Sequence, residues 1–202
     1  MLKMLDHVVY VARDLDAAVD DHRRRGFTVT PGGEHAGGVT HNALVCFADG
    51  SYLELVAFRK SDPTHRWWRH AANGGFADFA LLSDDLAQDA SALSDLIVRE
   101  PAEGGRTRPD GVSVRWRAAF LRAPLPFLIE DLTPRGLRVP GGEAARHVNG
   151  VTGVANLVIA ARDEHSVDKS YKRLRARGAP EIQIWGTDFT GLTDVSYRGL
   201  KT

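Results

Sequence analysis

A short apolar strand that ends in acidic residues and runs into a helical pattern occurs three times in this chain. Residues 5–15 read LDHVVYVARDL, residues 76–86 read FADFALLSDDL, and residues 154–163 read VANLVIAARD. Copies of one unit that cannot bury its own apolar face must bury it against each other, so the recurrence limits the folds open to the chain. Asp14 or Asp16, Asp84–Asp85 and Asp163 stand where side-chain acceptors are needed by the free N–H groups of a helix start. Behind them Leu15, Ala18, Val19 and His22 share one helical face. Leu86, Ala90, Leu93 and Ile97 do the same in the second copy, and Val167, Tyr171 and Leu174 in the third. The first helix is expected to end in Arg23, Arg24, Arg25 and then Gly26, and the third in KRLRARG at Gly178. Cations suit a helix C-terminus and glycine ends it.

The strands complete the units. Phe27–Thr30 is a short candidate, and Ala43–Ala48 and Ser51–Phe58 flank Asp49-Gly50, a strong hairpin signal. The first unit therefore reads β-α-β-β-β. The second repeats it, with strands at Phe76–Leu82, Ile97–Val98, Val112–Leu121 and Leu125–Leu132, after an aromatic and basic link, HRWWRH, at 65–70. The third has a strand, a helix and a strand at Glu181–Trp185; residues 186–202 are polar and poor in pattern. The expected division is a first module at 1–62, a second at 74–140 and a partial third at 150–202, packed on the main body or on a partner in a homodimer.

Composition removes several classes. The 202 residues are 43% hydrophobic and carry 26 basic and 26 acidic side chains, an ordinary globular balance. No stretch concentrates basic charge, so no nucleic-acid partner is expected. No apolar run approaches the ~20 residues of a membrane span, and Met1–Tyr10 has no cleavage signal. The single cysteine, Cys46, excludes an internal disulfide framework and a Cys-rich metal site, and suggests a reducing compartment, the cytoplasm.

Taken in order, LDHVVYVARDL (5–15), GFTVTPGGEHAGG (26–38), HNALVCFADGSYLEL (41–55), HRWW (65–68), RPDG (108–111), LPFLIED (125–131) and HVNGVTGVANLVIAARD (147–163) resemble the vicinal-oxygen-chelate superfamily, and within it the glyoxalase-like group. The resemblance covers roughly residues 4–163. It implies an α+β fold in which paired βαβββ modules curl into a half-open mixed-sheet barrel with a pocket inside each curl, commonly holding a divalent metal. Members include lyases, isomerases, ring-cleaving dioxygenases and transferases, and others that bind drugs without chemistry, so architecture is implied better than reaction.

Matching Asp14-Leu15 to Asp85-Leu86 gives an offset of 71 residues, which places Asp78 opposite His7 in the repeat. The closing strands supply Glu54 in YLEL and Glu130 in LIED. Carried over from the superfamily, the metal candidates are His7, Glu54, Asp78 and Glu130, an oxygen-rich set suited to Mn²⁺, Mg²⁺, Fe²⁺ or Ca²⁺, with Zn²⁺ also open. Such an ion would hold two neighbouring substrate oxygens as a Lewis acid. Glu130 or Tyr52 would then move a proton. Asp78 departs from the commoner histidine, and Asn156 occupies the place in the third copy.

Each candidate has a plainer alternative. His7 can be a hydrogen-bonded strand histidine and Asp78 a structural acceptor. Glu54 can point outward, because strand alternation permits it, and beside Glu130 the inward residue can be Asp131. His41 and Asn42 open a strand that should line the first cup, or lie exposed. His35, in the glycine-rich stretch PGGEHAGG, reads as a pocket-rim histidine in a strand connection. Of Trp67 and Trp68 one is core and the other covers the pocket mouth. Arg108 opens a turn or holds an anionic substrate, Trp116 is core or pocket wall, and His147 belongs to a turn or to the pocket. The two leading functions are a metal-dependent lyase or isomerase acting on a small oxygen-bearing substrate, and a protein that binds and sequesters a small molecule. A partner-binding role for the third repeat is a further possibility.

Overall fold

The computed structural model describes residues 1–201. The first unit comprises β1 (Leu2–Ala12), α1 (Leu15–Arg24), β2 (Thr30–His35), β3 (Thr40–Cys46) and β4 (Tyr52–Phe58). The second comprises β5 (Gly75–Ser83), α2 (Leu86–Ala92), β6 (Ile97–Thr107), β7 (Ser113–Leu121) and β8 (Phe127–Asp131). A one-turn helix α3 (Arg135–Arg138) leads to the third unit, β9 (Gly153–Ala161), α4 (Glu164–Arg175), β10 (Gln183–Gly186) and β11 (Gly191–Arg198). Among the described residues no helix is long and apolar enough to cross a membrane.

The three helices of the repeats start as the acidic residues require. Asp14 accepts from the Ala17 amide, Asp85 from Gln88 and Asp163 from Ser166. Each cap contributes about 1 kcal/mol. The strand ends differ from expectation in two places. β2 begins at Thr30 rather than near Phe27, because the Thr28 amide is taken by His147 instead of a strand partner, and it runs on through Gly32 and Gly33 beside β3. β6 continues from Ile97 to Thr107, since its partner β7 matches it along nearly its whole length. Residues 191–198, which lack a sequence pattern, form β11 by pairing with the strongly apolar β9.

The eight strands of the first two units make one curled mixed sheet in the order β1-β4-β3-β2-β6-β7-β8-β5. Its two halves join along the antiparallel β1–β5 pair, where His7 faces Ala80 and Val9 faces Asp78. Those two pairs exchange under a two-fold rotation, which is what a 71-residue repeat offset requires. On the opposite side the curl is pinched together by only two residue pairs, Glu34–Thr107 and His35–Arg106. Gly33 makes that approach possible: its φ is +128°, and a Cβ there would overlap the Thr107 carbonyl.

Alternation then sorts the side chains onto two faces. On β4, Leu53, Leu55 and Ala57 join the large core beneath the helices and the third unit, whereas Tyr52 and Glu54 face the inside of the curl. On β8, Leu128 faces the large core and Phe127 and Ile129 face inward. The third unit, a three-stranded sheet in the order β10-β9-β11, lays Leu157, Ile159, Tyr171, Leu174 and Leu192 onto that core. The Leu2 amide donates to the Arg177 carbonyl at 2.9 Å, fastening it to the start of β1. Cys46 is fully buried on β3, and burial pushes its thiol pKa up to about 12, so it behaves as a small apolar side chain.

Candidate functional site

The interior of the curl is a cavity of about 610 Å³ open at one end. One wall is apolar and aromatic: Trp67, Trp116, Phe120, Phe127 and Ile129. Gly104 permits part of that wall, since a Cβ there would come within 2.7 Å of the Trp116 indole nitrogen. The other wall is polar and is built from β1, β2, β3 and β4: His7, His35, Thr40, Asn42, Tyr52 and Glu54.

Glu54 is the centre of the polar wall. It is 4% exposed, and its two oxygens meet different imidazoles. His7 Nε2 lies 3.3 Å from Oε2, and His35 Nε2 lies 3.3 Å from Oε1. Asn42 Nδ2 donates to Oε1 at 2.5 Å. Burial opposes the ionised carboxylate, but hydrogen bonds and charge from both imidazoles outweigh it and hold Glu54 well below the usual carboxylate range.

His7 is fixed from behind by Asp6, whose Oδ2 is 2.6 Å from Nδ1. A carboxylate only accepts, so Nδ1 donates to Asp6 and Nε2 faces Glu54. Only the imidazolium can donate to both. Burial disfavours that charge, yet the bonds to Asp6 and Glu54 and their negative charge prevail, and the His7 pKa is raised. Tyr52 stacks on the ring with centroids 4.5 Å apart. His35 is oriented in the same fashion by Thr40 Oγ1, 2.8 Å from its Nδ1.

Asp6 is itself completely buried and anchored by arginines from α3. Arg138, 2% exposed, donates to Asp6 through Nη1 at 2.7 Å and Nη2 at 2.8 Å, to Tyr52 Oη at 2.9 Å and to Asp131 at 2.5 and 3.1 Å. Arg135 adds a 2.6 Å bond to Asp6. Burial weighs against the Asp6 charge, but Arg138 and His7 carry its carboxyl well below the usual range. The Tyr52 phenol moves the other way: burial raises its pKa well above the usual value, so it stays protonated and is a donor rather than a base.

The four expected metal ligands do not converge. His7 and Glu54 meet; Asp78 and Glu130 do not join them. Asp78 accepts from Arg66 Nε at 2.5 Å, from the Trp67 indole at 3.0 Å and from the Phe79 amide at 3.0 Å. Glu130 accepts from Arg117 Nη2 at 2.7 Å and belongs to the face of β8 opposite Phe127 and Ile129. The register gives the reason. Val9 pairs with Glu54 and Ala80 pairs with Phe127, so the repeat partner of Glu54 is Phe127, three residues before Glu130. An odd shift along a strand moves a side chain to the other face. With two of the three carboxylates neutralised by arginines, and the Glu54 oxygens each already met by an imidazole, these residues do not fit a divalent ion as a set. Among the described residues no group of three or more His, Cys, Asp or Glu side chains is arranged to hold one.

The remaining candidates divide. Asn42, Tyr52, Trp67 and Trp116 line the cavity. Trp68 packs instead on Phe58, edge to face at 4.9 Å. His41 lies outside the cavity lining, one residue out of phase with Asn42. Arg108 is tied to Asp110 and to the Leu137 carbonyl, away from the cavity. His147 is a latch: its Nδ1 accepts from the Thr28 amide at 2.9 Å and its Nε2 donates to the Cys46 carbonyl at 2.9 Å. Asp6, Arg106 and Arg138 are site residues that pattern reading missed. The only local signal was the Asp6-His7 dipeptide; Arg106 lies in a stretch of β6 without apolar alternation, and Arg138 lies outside the repeats on α3.

The model of the family described as "Glyoxalase-like domain" matches residues 5–175. The chain belongs to that family. Its superfamily is the vicinal-oxygen-chelate superfamily, and its curled eight-stranded sheet agrees with that assignment. No curated relative matches the chain. Among solved structures, a hypothetical protein from Staphylococcus aureus superposes with a TM-score of 0.74 at 12% identity, covering 96% of this chain and 90% of that one. A variant of the Streptomyces coelicolor methylmalonyl-CoA epimerase, in complex with 2-nitronate-propionyl-CoA, gives 0.50 at 20% identity, over 66% of this chain and 100% of that one. A methylmalonyl-CoA epimerase in complex with methylmalonyl-CoA and NH4⁺ also gives 0.50 at 20% identity, over 69% and 100%. At these identities the likenesses show the fold.

Proposed function

We propose that this glyoxalase-like protein is an enzyme of the lyase or isomerase type that moves a proton on a small oxygen-bearing substrate held in the curl. The observation that carries the reading is Glu54, an ionised carboxylate buried in the cavity wall with an imidazole 3.3 Å from each oxygen. Buried and perturbed ionisable pairs facing a cavity are the ordinary currency of acid–base sites.

The division of labour follows from the charges. Glu54, kept ionised by its neighbours, accepts the proton from a carbon next to a substrate carbonyl. The C–H electron pair becomes the enol double bond, and the carbonyl oxygen takes a proton from the His7 imidazolium. Asp6 keeps that imidazole oriented and stabilises its charge, as Arg138 and Arg135 in turn keep Asp6 in place. Tyr52, protonated throughout, presents a hydrogen-bond donor beside the ring. Asn42 holds Glu54 Oε1 and the aromatic wall takes the apolar part of the substrate. No step is routed through a metal ion, because the donor set does not fit one.

The test is solvent exchange. With a panel of α-oxo and β-oxo acids in D2O, proton NMR should show enzyme-dependent loss of the signal next to the carbonyl for at least one member, and Glu54→Gln should slow it about 100-fold or more, the scale of a lost general base. Equal exchange by wild type and Glu54→Gln removes the proposal. A second reading, binding without chemistry, is supported by the aromatic wall of Trp67, Trp116, Phe120 and Phe127; it predicts ligand-induced stabilisation that Glu54→Gln leaves intact and no exchange at all.

A further inference from the structure

Arg106 is a buried cavity residue whose charge the proton-transfer site does not use. It projects from β6, is 5% exposed and lines the cavity. A guanidinium has five N–H donors and no acceptor. Here the acceptors it finds are two backbone carbonyls, Gly32 O through Nη1 and Arg138 O through Nη2, the latter at 2.8 Å. Among the described residues it forms no ion pair. The other buried or half-buried guanidiniums around the cavity differ: Arg138 is matched by Asp6 and Asp131, and Arg66 by Asp78; Arg99 is exposed to water. A buried, charged group that lacks a counter-ion is costly, and the buried acidic residue of the cavity, Glu54, is already met by His7 and His35.

We infer that Arg106 is an anion subsite, and that the ligand of this cavity is a monocarboxylate with an apolar body. The carboxylate would sit on the free edge of the Arg106 fork, which suits its planar geometry. The body would lie against Trp116, which β7 places opposite Gly104, two residues before Arg106 on β6. One unmatched guanidinium beside one satisfied carboxylate balances a single negative charge; a dianionic phosphate would leave an excess next to Glu54. Arg99, exposed at the mouth with its guanidinium 5.5 Å from the Phe120 ring centroid, adds a second cation on the way in. The inference rests on the reading that this cavity is the functional site, and it specifies the substrate class for it.

The experiment compares isosteres by calorimetry on the full chain: 3-phenylpropionate against 3-phenylpropanamide, and benzoate against benzamide. The carboxylates should bind the wild type roughly 10- to 100-fold more tightly than the amides, the range expected for a charge-assisted pair. Arg106→Met should erase that preference while leaving amide binding unchanged, and Arg106→Lys should keep part of it. Glu54→Gln should retain carboxylate binding, so loss of proton exchange in that variant with binding intact tests the acid–base reading separately. Equal binding of acid and amide by the wild type overturns the subsite without need of any variant, and so does an undiminished acid preference in folded Arg106→Met.

Discussion

Replacing Asp6 by asparagine tests whether the buried arginine network holds the site together. Asp6 is completely buried and accepts two bonds from Arg138, one from Arg135 and one from His7, all between 2.6 and 2.8 Å. Asparagine keeps the shape but removes the charge, and turns one acceptor into a donor that faces donors. Arg138, at 2% exposure, is left with Asp131 as its only counter-ion. Breaking a buried ion pair from one side costs about 3–5 kcal/mol. For a chain of this length each kcal/mol moves Tm by roughly 2–4 °C, so Asp6→Asn should melt about 6–20 °C below the wild type at neutral pH. The pH dependence has a definite sign. Because the Asp6 carboxyl is lowered in the folded state, its contribution is present above the unfolded value of about 3.9 and is lost as pH falls through the folded one. The gap between variant and wild type should therefore narrow in acid. Differential scanning calorimetry from about pH 3 to 8 measures both features. A shift at neutral pH under about 2 °C, or a gap that widens in acid, would refute the reasoning.

Three further outcomes follow. His7 is raised by Asp6 and Glu54, so its stabilising contribution is complete below about pH 6.5 and is lost as pH climbs through the folded value; urea unfolding between about pH 6 and 9 should show that decline, and Glu54→Gln should flatten it. Gly33→Ala should destabilise the protein by about 1–3 kcal/mol and open the pinch between β2 and β6, seen as faster amide exchange of Arg106 and Thr107 with β1–β5 protection unchanged. Because the candidate ligands do not converge, overnight EDTA treatment and added Mn²⁺ or Zn²⁺ should each leave Tm within about 1 °C of the untreated protein; a stoichiometric metal-dependent rise would overturn the ligand assignment.

How far the sequence reaches can be seen residue by residue. The three aspartates that start the helices were legible because capping is local, and Glu54 because alternation along an apolar run has only two outcomes. The β1–β5 two-fold was legible in the 71-residue offset. Glu130 misled for a long-range reason: Leu125–Leu132 is apolar enough to pair with β5 in several registers, and the register chosen puts Phe127, not Glu130, at the counterpart of Glu54. Asp78 misled because its neutraliser, Arg66, comes from the link between the units. His35 is brought to Glu54 by the pairing of β2 with β3 and of β3 with β4, a register in a glycine-rich strand that no apolar alternation encodes. Arg106 sits in a part of β6 without apolar alternation and Arg138 lies outside the repeats, so only packing reveals them.

The central claim is that Glu54, bracketed by His7 and His35, transfers a proton inside the curl. The most direct measurement is the deuterium content of a carbonyl substrate recovered from D2O after incubation with wild type, Glu54→Gln and His7→Gln, each first confirmed as folded by its melting curve. The account requires label next to the carbonyl from wild type, with either variant at least about 100 times slower; label incorporated equally by all three proteins, or by none of them across the panel, would contradict it.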